Sequence, residues 1–404
     1  FNLKHIMALP DRFETDCAKI DGFFFDYSKQ RINDAVLSKL VTLSEQTGAK
    51  EKFQDMMSGK KVNITEERAA LHTATRNYDQ PGKSLVNPAI CRQIAEVNLS
   101  IKDFTQKIGN RQIKGSTGKP FTDAVIIGIG GSYLGCEFVY SALKVSIDPK
   151  IRLHFLANVD IDNFGEIIKK VLPETTLWVV ISKSYTTTET LANLKQARQY
   201  IRQHKLNPRQ HMVAITAKGS PGDGPDNPVL QSFHMFDFIG GRYSVSSAVG
   251  ALPLSLAFGF DLFEDFLSGC RQMDAHALDA PAHRNIPLLS ALFSIWNSHF
   301  LNYRAQAIIP YCSALSRLAP HIQQLYMESL GKGATVDNEK IDYPTGVIIF
   351  GEPGTCAQHS FFQLAHQGQP FPIEFIGVIN PVYQNSQALS KGVSNHQELW
   401  ANMI

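Results

Sequence analysis

Residues 124–132 read AVIIGIGGS, and residues 177–187 read LWVVISKSYTT. Each stretch opens with a short run of apolar, mostly β-branched residues and closes in a loop that is rich in glycine or in hydroxyl side chains. A helix-like stretch follows each loop, at residues 133–143 and 189–202. Short buried strands that alternate with helices are typical of βαβ units, in which helices cover both faces of a parallel sheet. We therefore predict an α/β fold.

Similar strand-like runs recur along the chain. Residues 152–157 and 212–216 extend the first group of strands, and a second group follows at residues 307–310, 347–350 and 374–378. The two groups are separated by a long stretch without strand-like runs. The sequence therefore predicts two mainly parallel sheets.

The length of the chain also favours two α/β domains. Its 404 residues exceed the roughly 250–300 at which single cores stop growing. Ahead of the first strand, apolar residues recur at helical intervals, so the N-terminal segment is predicted to be helical. The expected boundaries give a helical N-terminal segment at residues 1–92, a first and larger domain at 93–255, a helical bridge at 256–290 and a second domain at 291–404.

The composition is that of a soluble globular protein, with 44% hydrophobic and 19% charged residues. There are 39 lysines and arginines and 37 aspartates and glutamates, a formal net charge of +2. No basic run is long enough to follow a nucleic-acid backbone. The most apolar stretch, residues 286–301, is interrupted by polar residues and falls short of the roughly 20 apolar residues that span a bilayer. We expect neither nucleic acid nor a membrane as a partner.

The six cysteines show no spacing typical of a metal site or of a disulfide framework. We interpret them as free thiols, which persist in a reducing compartment, and expect a cytoplasmic protein. The chain begins at Phe1 without a basic and apolar leader, so we expect that its start has been trimmed.

The first loop, residues 128–132, has the features of an anion site. Its glycines let backbone N–H groups approach a ligand, and the N-terminus of the following helix adds a positive dipole end. Tyr133 occupies the place of the third glycine of a dinucleotide-binding motif, and no GK[ST] follows, so a nucleotide is disfavoured. The alternative is a tight turn that uses glycine only for its geometry.

The second loop strengthens the interpretation of the first. Residues 182–188 contain five serines and threonines beside Lys183, more than helix capping requires. The carboxyl ends of parallel strands meet at one edge of a sheet, where α/β proteins bind ligands. A phosphate, with three acceptor oxygens, would satisfy these donors. We therefore predict that the two loops bind the phosphate of a small molecule.

Arg242 follows two glycines within apolar surroundings, in the segment FDFIGGRYS. Such a flexible backbone could direct the guanidinium inward, although a lone arginine is also a common surface residue. Its permanent charge suits it to stabilise a developing oxyanion.

Gln324 and Glu328 lie four residues apart in a segment that is predicted to be helical from residue 321 until Gly331 ends it. The two side chains therefore share a helix face. A carboxylate there can be an ordinary surface residue, or it can act as a base for a proton on carbon beside a carbonyl.

His359 begins a predicted helix at residues 359–367. At a helix N-terminus the dipole opposes protonation, which would keep the imidazole neutral and able to accept a proton. A capping or packing role is the alternative. We interpret His72 and His366 as structural.

In order and spacing, several segments of the chain resemble the phosphoglucose isomerase family, also called glucose-6-phosphate isomerases. The resemblance extends from about residue 11 to the end of the chain. It rests on NITEERAALH at 63–72, GIGGS at 128–132, SKSYTTTET at 182–190, FDFIGGRYS at 236–244, QLYMESLGK at 324–332 and GEPGTCAQH at 351–359.

The resemblance implies two sugar-isomerase (SIS) domains and the isomerisation of glucose 6-phosphate and fructose 6-phosphate through an enediol(ate), without metal or organic cofactor. Glu328 would be the base, Arg242 would stabilise the intermediate, and Gln324 would help to position the sugar. His359 would assist ring opening from the neighbouring subunit of a homodimer. The implied substrate-binding residues of the two loops are Gly131, Ser132, Ser182, Lys183, Ser184, Tyr185, Thr186 and Thr187.

The same resemblance predicts further C-terminal helices and a late lysine that works with the histidine, so we expect the natural polypeptide to continue beyond Ile404. Two alternatives are a non-catalytic phosphosugar sensor and a related isomerase that acts on mannose phosphate. A sensor would need the phosphate loops but neither a placed base nor a placed arginine.

Overall fold

A computed structural model describes residues 3–8, 11–80, 85–383, 389–390 and 392–404. The N-terminal part consists of short helices and one hairpin. Its elements are α1 (Leu3–Met7), α2 (Arg12–Thr15), β1 (Cys17–Ile20), β2 (Phe23–Asp26), α3 (Asp34–Gln46) and α4 (Ala49–Ser58).

The antiparallel hairpin of β1 and β2 lies within the N-terminal segment that the sequence predicts to be helical. Its turn contains Asp21 and Gly22, and Gly22 has a positive φ of 71°, which is the local signal for a tight hairpin. The buried guanidinium of Arg12 fixes the chain after the hairpin by donating to the carbonyl oxygens of Ser28 and Ile32.

The first sheet has five parallel strands in the order β4-β3-β5-β6-β7. The predicted strands are present within one residue of their expected ends, and a fifth edge strand joins them. The elements are α5 (Pro88–Gly109), β3 (Asp123–Ile127), α6 (Leu134–Leu143), β4 (Arg152–Leu156), α7 (Ile161–Ile168), β5 (Thr176–Ile181), α8 (Thr188–Gln203), β6 (Met212–Ala217), β7 (Ser232–Met235) and α9 (Ala248–Phe258).

Strands β3 and β5 are buried on both faces along their whole length, as their β-branched composition predicts. Alternate residues enter two different cores. Ile126 packs on the side of α5 and α9, and Val125 and Ile127 pack on the side of α7 and α8. Burial on both faces holds the two strand ends, and hence the two loops that follow them, in fixed positions.

The second sheet has three parallel strands in the order β10-β8-β9, and its strands lie within two residues of the predicted runs. The elements of this part are α10 (Phe260–Asp279), α11 (Ile286–Ile295), β8 (Ala305–Tyr311), α12 (Leu318–Gln323), β9 (Ile348–Phe350), α13 (Phe362–Gln367), β10 (Ile373–Gly377), β11 (Leu389–Ser390), β12 (Val393–Ser394) and α14 (Asn395–Met403). The predicted α/β class with two mainly parallel sheets is confirmed. The domain boundaries stay predictions.

Candidate active site

The two predicted phosphate loops meet at one edge of the first sheet. Strands β3 and β5 are neighbours and pair in parallel, with Ile127 opposite Val180, so both loops leave the sheet at the same end. Between them lies a cleft of about 400 Å³. It is lined by Arg68, Ile129, Ser132, Ile181, Ser182, Lys183, Ser184, Thr187, Thr190, Ala217 and Asp237.

In the first loop, the glycines have distinct geometric roles. Gly130 has a φ of 59°, a conformation that glycine adopts without steric cost. A Cβ on Gly128 would lie 2.8 Å from the Cβ of Ser132, so this turn has no room for a side chain there. The carbonyl of Gly131 accepts a hydrogen bond from Ser244 Oγ at 3.2 Å. The loop is therefore held in a shape that directs Ser132 into the cleft.

The second loop is ordered by its own hydroxyl groups. Ser182 Oγ accepts the backbone N–H of Tyr185 at 3.1 Å and lies 3.5 Å from Thr187 Oγ1. Ser184 Oγ accepts from Thr186 Oγ1 at 2.7 Å. Thr187 is the N-cap of α8 but makes no capping bond with its side chain. Its hydroxyl is therefore available to a ligand.

Tyr185 has a different environment from its neighbours. Its φ is 55°, and its ring is buried in the core between the sheet and α8. Its hydroxyl donates to Asn227 Oδ1 at 3.4 Å. The ring thus points away from the cleft and anchors the loop.

Lys183 is held in the cleft by the segment that follows β7. Its Nζ donates to the carbonyl oxygens of Asp237 at 3.0 Å and Ile239 at 3.3 Å. The carboxylate of Asp237 lies 3.5 Å from Lys183 Nζ and 3.9 Å from Arg68 Nη1. Asp237 therefore lies between two cations at the mouth of the cleft.

The structure brings Arg242 and Glu328 together, although 86 positions separate them in the chain. Arg242 lies on a short 3-10 helix, Gly241–Ser246, and Glu328 ends a π-helical segment, Gln324–Glu328. Arg242 Nη1 is 3.4 Å from Glu328 Oε1. A permanent cation beside a carboxylate can stabilise the negative charge that develops when the carboxylate removes a proton next to a carbonyl.

The helix that carries Glu328 differs from the predicted one. We expected a continuous α-helix from residue 321, but α12 ends at Gln323 and five residues of π-helix follow. Such segments are rare and occur often at functional sites. Gln324 remains near the first loop, because a Cβ on Gly130 would lie 3.1 Å from Gln324 Nε2.

His359 does not begin a helix, and that prediction is wrong. It ends a single 3-10 turn, Ala357–His359, and α13 starts only at Phe362. Its backbone N–H donates to the carbonyls of Thr355 and Cys356, so the dipole argument for a neutral imidazole loses its basis. The side chain is exposed. Within the described ranges, His359 makes no hydrogen bond or ion pair with Arg242 or Glu328.

Sequence reasoning missed some residues of the site. Arg68 and Asp237 line the cleft, and Ser329 bonds to Arg242. All three lie inside segments that carried the family resemblance, but nothing in their spacing predicts where their side chains point. Arg68 comes from the N-terminal part of the chain and reaches the cleft only through tertiary packing.

A model of the phosphoglucose isomerase family matches residues 26–404. The chain belongs to this family. It is 54% identical to the glucose-6-phosphate isomerase of Desulfosudis oleivorans over 407 residues, which cover 100% of the chain and 74% of that relative. It is 42% identical to the cytosolic glucose-6-phosphate isomerase of Zea mays, with 100% of the chain and 72% of that relative covered.

This member of the phosphoglucose isomerase family has the same fold as a solved relative, the crystal structure of a glucose-6-phosphate isomerase from Chlamydia trachomatis. The two superpose with a TM-score of 0.91 at 36% sequence identity, covering 98% of this chain and 77% of the other.

All six cysteines are free. Among the helices of the described residues, none is long and apolar enough to cross a membrane.

Proposed function

We propose that this chain catalyses the reversible isomerisation of glucose 6-phosphate and fructose 6-phosphate. The observation that carries the proposal is the 3.4 Å separation of Arg242 Nη1 and Glu328 Oε1, beside the cleft between the two loops. A phosphosugar sensor would need the cleft alone. Membership in the phosphoglucose isomerase family supports the same activity.

In the proposed mechanism, Glu328 accepts the C2 proton of the open-chain aldose. The electron pair of the broken C–H bond forms the C1=C2 double bond, and negative charge moves to O1. Arg242 stabilises this charge without giving up a proton. The O2 hydroxyl then gives its proton to O1, and the electron pair left on O2 forms the C2 carbonyl. The electron pair of the C1=C2 double bond takes the proton back from Glu328 at C1. One carboxylate on one face of the substrate therefore suffices for both transfers at carbon.

The cleft residues hold the other end of the substrate. Ser132, Ser182, Lys183, Ser184 and Thr187 all line it, and we assign them to the phosphate, with Gly131 and Thr186 contributing through the loop backbone. Tyr185 supports the loop from the core. Gln324, which lies against Gly130, positions the sugar between the cleft and Glu328.

The test is Glu328→Gln in the full-length protein, which keeps the shape of the side chain and removes its basicity. Turnover should fall by at least about 1000-fold, because a positioned base contributes up to about 10⁴-fold, while the Kd for the sugar phosphate stays within a few-fold. Exchange of the C2 hydrogen with D₂O should stop as well. Glu166→Gln, in a surface pair with Lys169, is the matched control. Undiminished turnover in Glu328→Gln would overturn the proposal.

We further propose a homodimer in which His359 completes the neighbouring subunit's site. Its exposed position on the turn after β9 supports this assignment. Mixing inactive Glu328→Gln and His359→Ala chains gives hybrid dimers with one intact site, so activity should return to about a quarter of wild type after random pairing. No recovery would show that His359 acts within its own subunit.

We also propose a cytoplasmic location. The cytosolic plant relatives and the six free thiols support it, since free thiols persist in reducing compartments. Fractionation of cells that produce the natural protein tests it.

A further inference from the structure

Arg242 is anchored through its Nε rather than through its two terminal nitrogens. Nε donates to Ser329 Oγ at 2.7 Å, while Nη1 faces Glu328 at 3.4 Å. The guanidinium is a rigid planar fork. A hydrogen bond that fixes the direction of Nε–H therefore also fixes where both terminal nitrogens point.

The hydroxyl of Ser329 uses its full hydrogen-bonding capacity. Its single hydrogen is donated to the carbonyl oxygen of Leu325 at 2.5 Å, one helical turn earlier. Two lone pairs remain, and one accepts from Arg242 Nε. The other faces the hydroxyl of Tyr243, whose oxygen lies 3.0 Å from Ser329 Oγ. Since Ser329 has no second hydrogen to give, Tyr243 must be the donor of this bond.

Tyr243 is itself fixed from two sides. Its ring stacks on His72, with centroids 4.6 Å apart and an angle of 24° between the planes. The Arg242 guanidinium carbon lies 5.4 Å from the centre of the same ring, within range of a cation–π interaction. The tyrosine thus contacts the arginine directly through its ring and indirectly through Ser329.

The position of Ser329 in the chain links the arginine to the base. Ser329 directly follows Glu328, so the backbone that places the carboxylate also places the anchor of the guanidinium. We propose that Ser329 and Tyr243 are positioning residues, which hold the Arg242 guanidinium in the orientation that stabilises charge at the substrate oxygen next to Glu328. This inference rests on the proposed function and adds two residues to it.

The contribution should be specific to the charged intermediate. A guanidinium that can rotate still attracts an anion, but it loses the preorganised geometry that distinguishes the intermediate from the neutral substrate. Ser329→Ala should therefore lower kcat by about 10- to 100-fold, the range expected for a hydrogen bond to a charged group. KM should change by less than about threefold, because the phosphate is held elsewhere.

Binding of two ligands separates positioning from a structural role. One ligand is a six-carbon sugar alcohol 6-phosphate, which is uncharged at C1 and C2. The other is a phosphorylated hydroxamate that mimics the enediolate. In Ser329→Ala the Kd of the hydroxamate should rise by the same factor as kcat falls, while the Kd of the sugar alcohol stays unchanged. An equal rise in Kd for both ligands would overturn the inference, since it indicates general disruption of the site.

Three further variants complete the design. Ser329→Thr keeps the hydroxyl and should recover most of the lost activity. Tyr243→Phe keeps the ring stacking and removes the bond to Ser329. It should cost only about 3- to 10-fold in kcat, because the bond to the Leu325 carbonyl still orients the Ser329 hydroxyl. Ser298→Ala removes a comparable bond, from Ser298 Oγ to the carbonyl of Ser294 at 2.7 Å, in the π-helix Trp296–Phe300, and should leave kcat unchanged.

The outcome is distinguishable from failure of the proposed function. If Glu328→Gln is inactive but Ser329→Ala retains wild-type kcat and hydroxamate affinity, only the positioning role is wrong. If Glu328→Gln retains activity, the proposed function itself fails.

Discussion

Gly131 and Gly241 meet backbone to backbone: a Cβ on Gly131 would lie 2.2 Å from both the carbonyl carbon and the carbonyl oxygen of Gly241. Gly131 belongs to the first phosphate loop, and Gly241 directly precedes Arg242. The contact therefore couples the loop that we assign to the phosphate to the segment that carries the arginine. Since both partners are backbone atoms, neither can move aside by changing a rotamer.

Gly131→Ala should destabilise the fold and impair the site together. Overpacking against a rigid neighbour costs about 1–3 kcal/mol, and the backbone shift moves Ser132 and Arg242. We expect a lower urea midpoint, a higher KM and a lower kcat. Gly269→Ala in α10 is the control, because a Cβ there has no atom within 4 Å. It should stabilise the protein by up to about 1 kcal/mol. Wild-type kinetics in Gly131→Ala would contradict the coupling.

Lys183→Met should raise KM far more than it lowers kcat. In the proposed binding mode, the ammonium group holds the phosphate at the end of the substrate that does not react, so this contact is equally strong in substrate and intermediate. We expect an increase in KM of about 10- to 100-fold, in line with a charge-assisted hydrogen bond. Steady-state kinetics over a range of salt concentrations measure it. Lys195→Met, on α8 and outside this cleft, should behave like wild type.

Asp237→Asn should strengthen phosphate binding. Its carboxylate lies 3.5 Å from Lys183 Nζ and 3.9 Å from Arg68 Nη1, where it competes with an incoming dianion for both cations. The side chain is 75% exposed, so solvent screening limits the effect to about two- to fivefold. The inhibition constant for inorganic phosphate is the measurement. Weaker phosphate binding in the variant would show that Asp237 serves mainly to orient Lys183.

The stability of the protein should depend on His72 in mildly acidic solution. Burial, and to a smaller extent the charge of Arg76, lowers the pKa of His72 to about 3. Between pH 6.5 and 3 the unfolded chain therefore binds a proton that the folded chain does not, and the free energy of unfolding falls as the pH falls.

His72→Phe keeps a ring beside Tyr243 and removes this titration. Its free energy of unfolding should decline less steeply from pH 6.5 to 4 than that of the wild type, by up to about 1.4 kcal/mol per pH unit. Equilibrium unfolding in urea at several pH values measures the slopes. Parallel slopes would mean that His72 is protonated in the folded protein as well.

The sequence predicts the strands and the positions of the two loops that follow them well, for a physical reason. Runs such as residues 124–127 are buried on both faces, so their composition is apolar throughout and leaves little ambiguity. Strand β7, Ser232–Met235, was missed because it is a four-residue edge strand that alternates polar and apolar residues. The β1–β2 hairpin was missed although Asp21 and Gly22 mark its turn.

The parts of the site that the sequence did not predict depend on the winding of one helix and on contacts between segments that are distant in the chain. Over the five residues from Gln324 to Glu328, the apolar spacing of a π-helix cannot be told from that of an α-helix, so the change in winding was invisible. The approach of Arg68 to the cleft depends on tertiary packing of the N-terminal part. The bond from Arg242 to Ser329 requires side chains from two helical segments far apart in the chain to meet, which no local pattern encodes.

The groups assigned to the site come from both halves of the molecule. The phosphate loops and Arg242 follow strands of the first sheet, whereas Gln324, Glu328 and Ser329 lie between β8 and β9 of the second. In the proposed mechanism, the first half of the molecule holds the phosphate and supplies the cation, and the second half supplies the base. Under this mechanism, phosphate affinity belongs to the first half alone, whereas the reaction needs both: descendants of this fold could keep the phosphate site while changes in the second half altered the reaction of the same phosphorylated compounds.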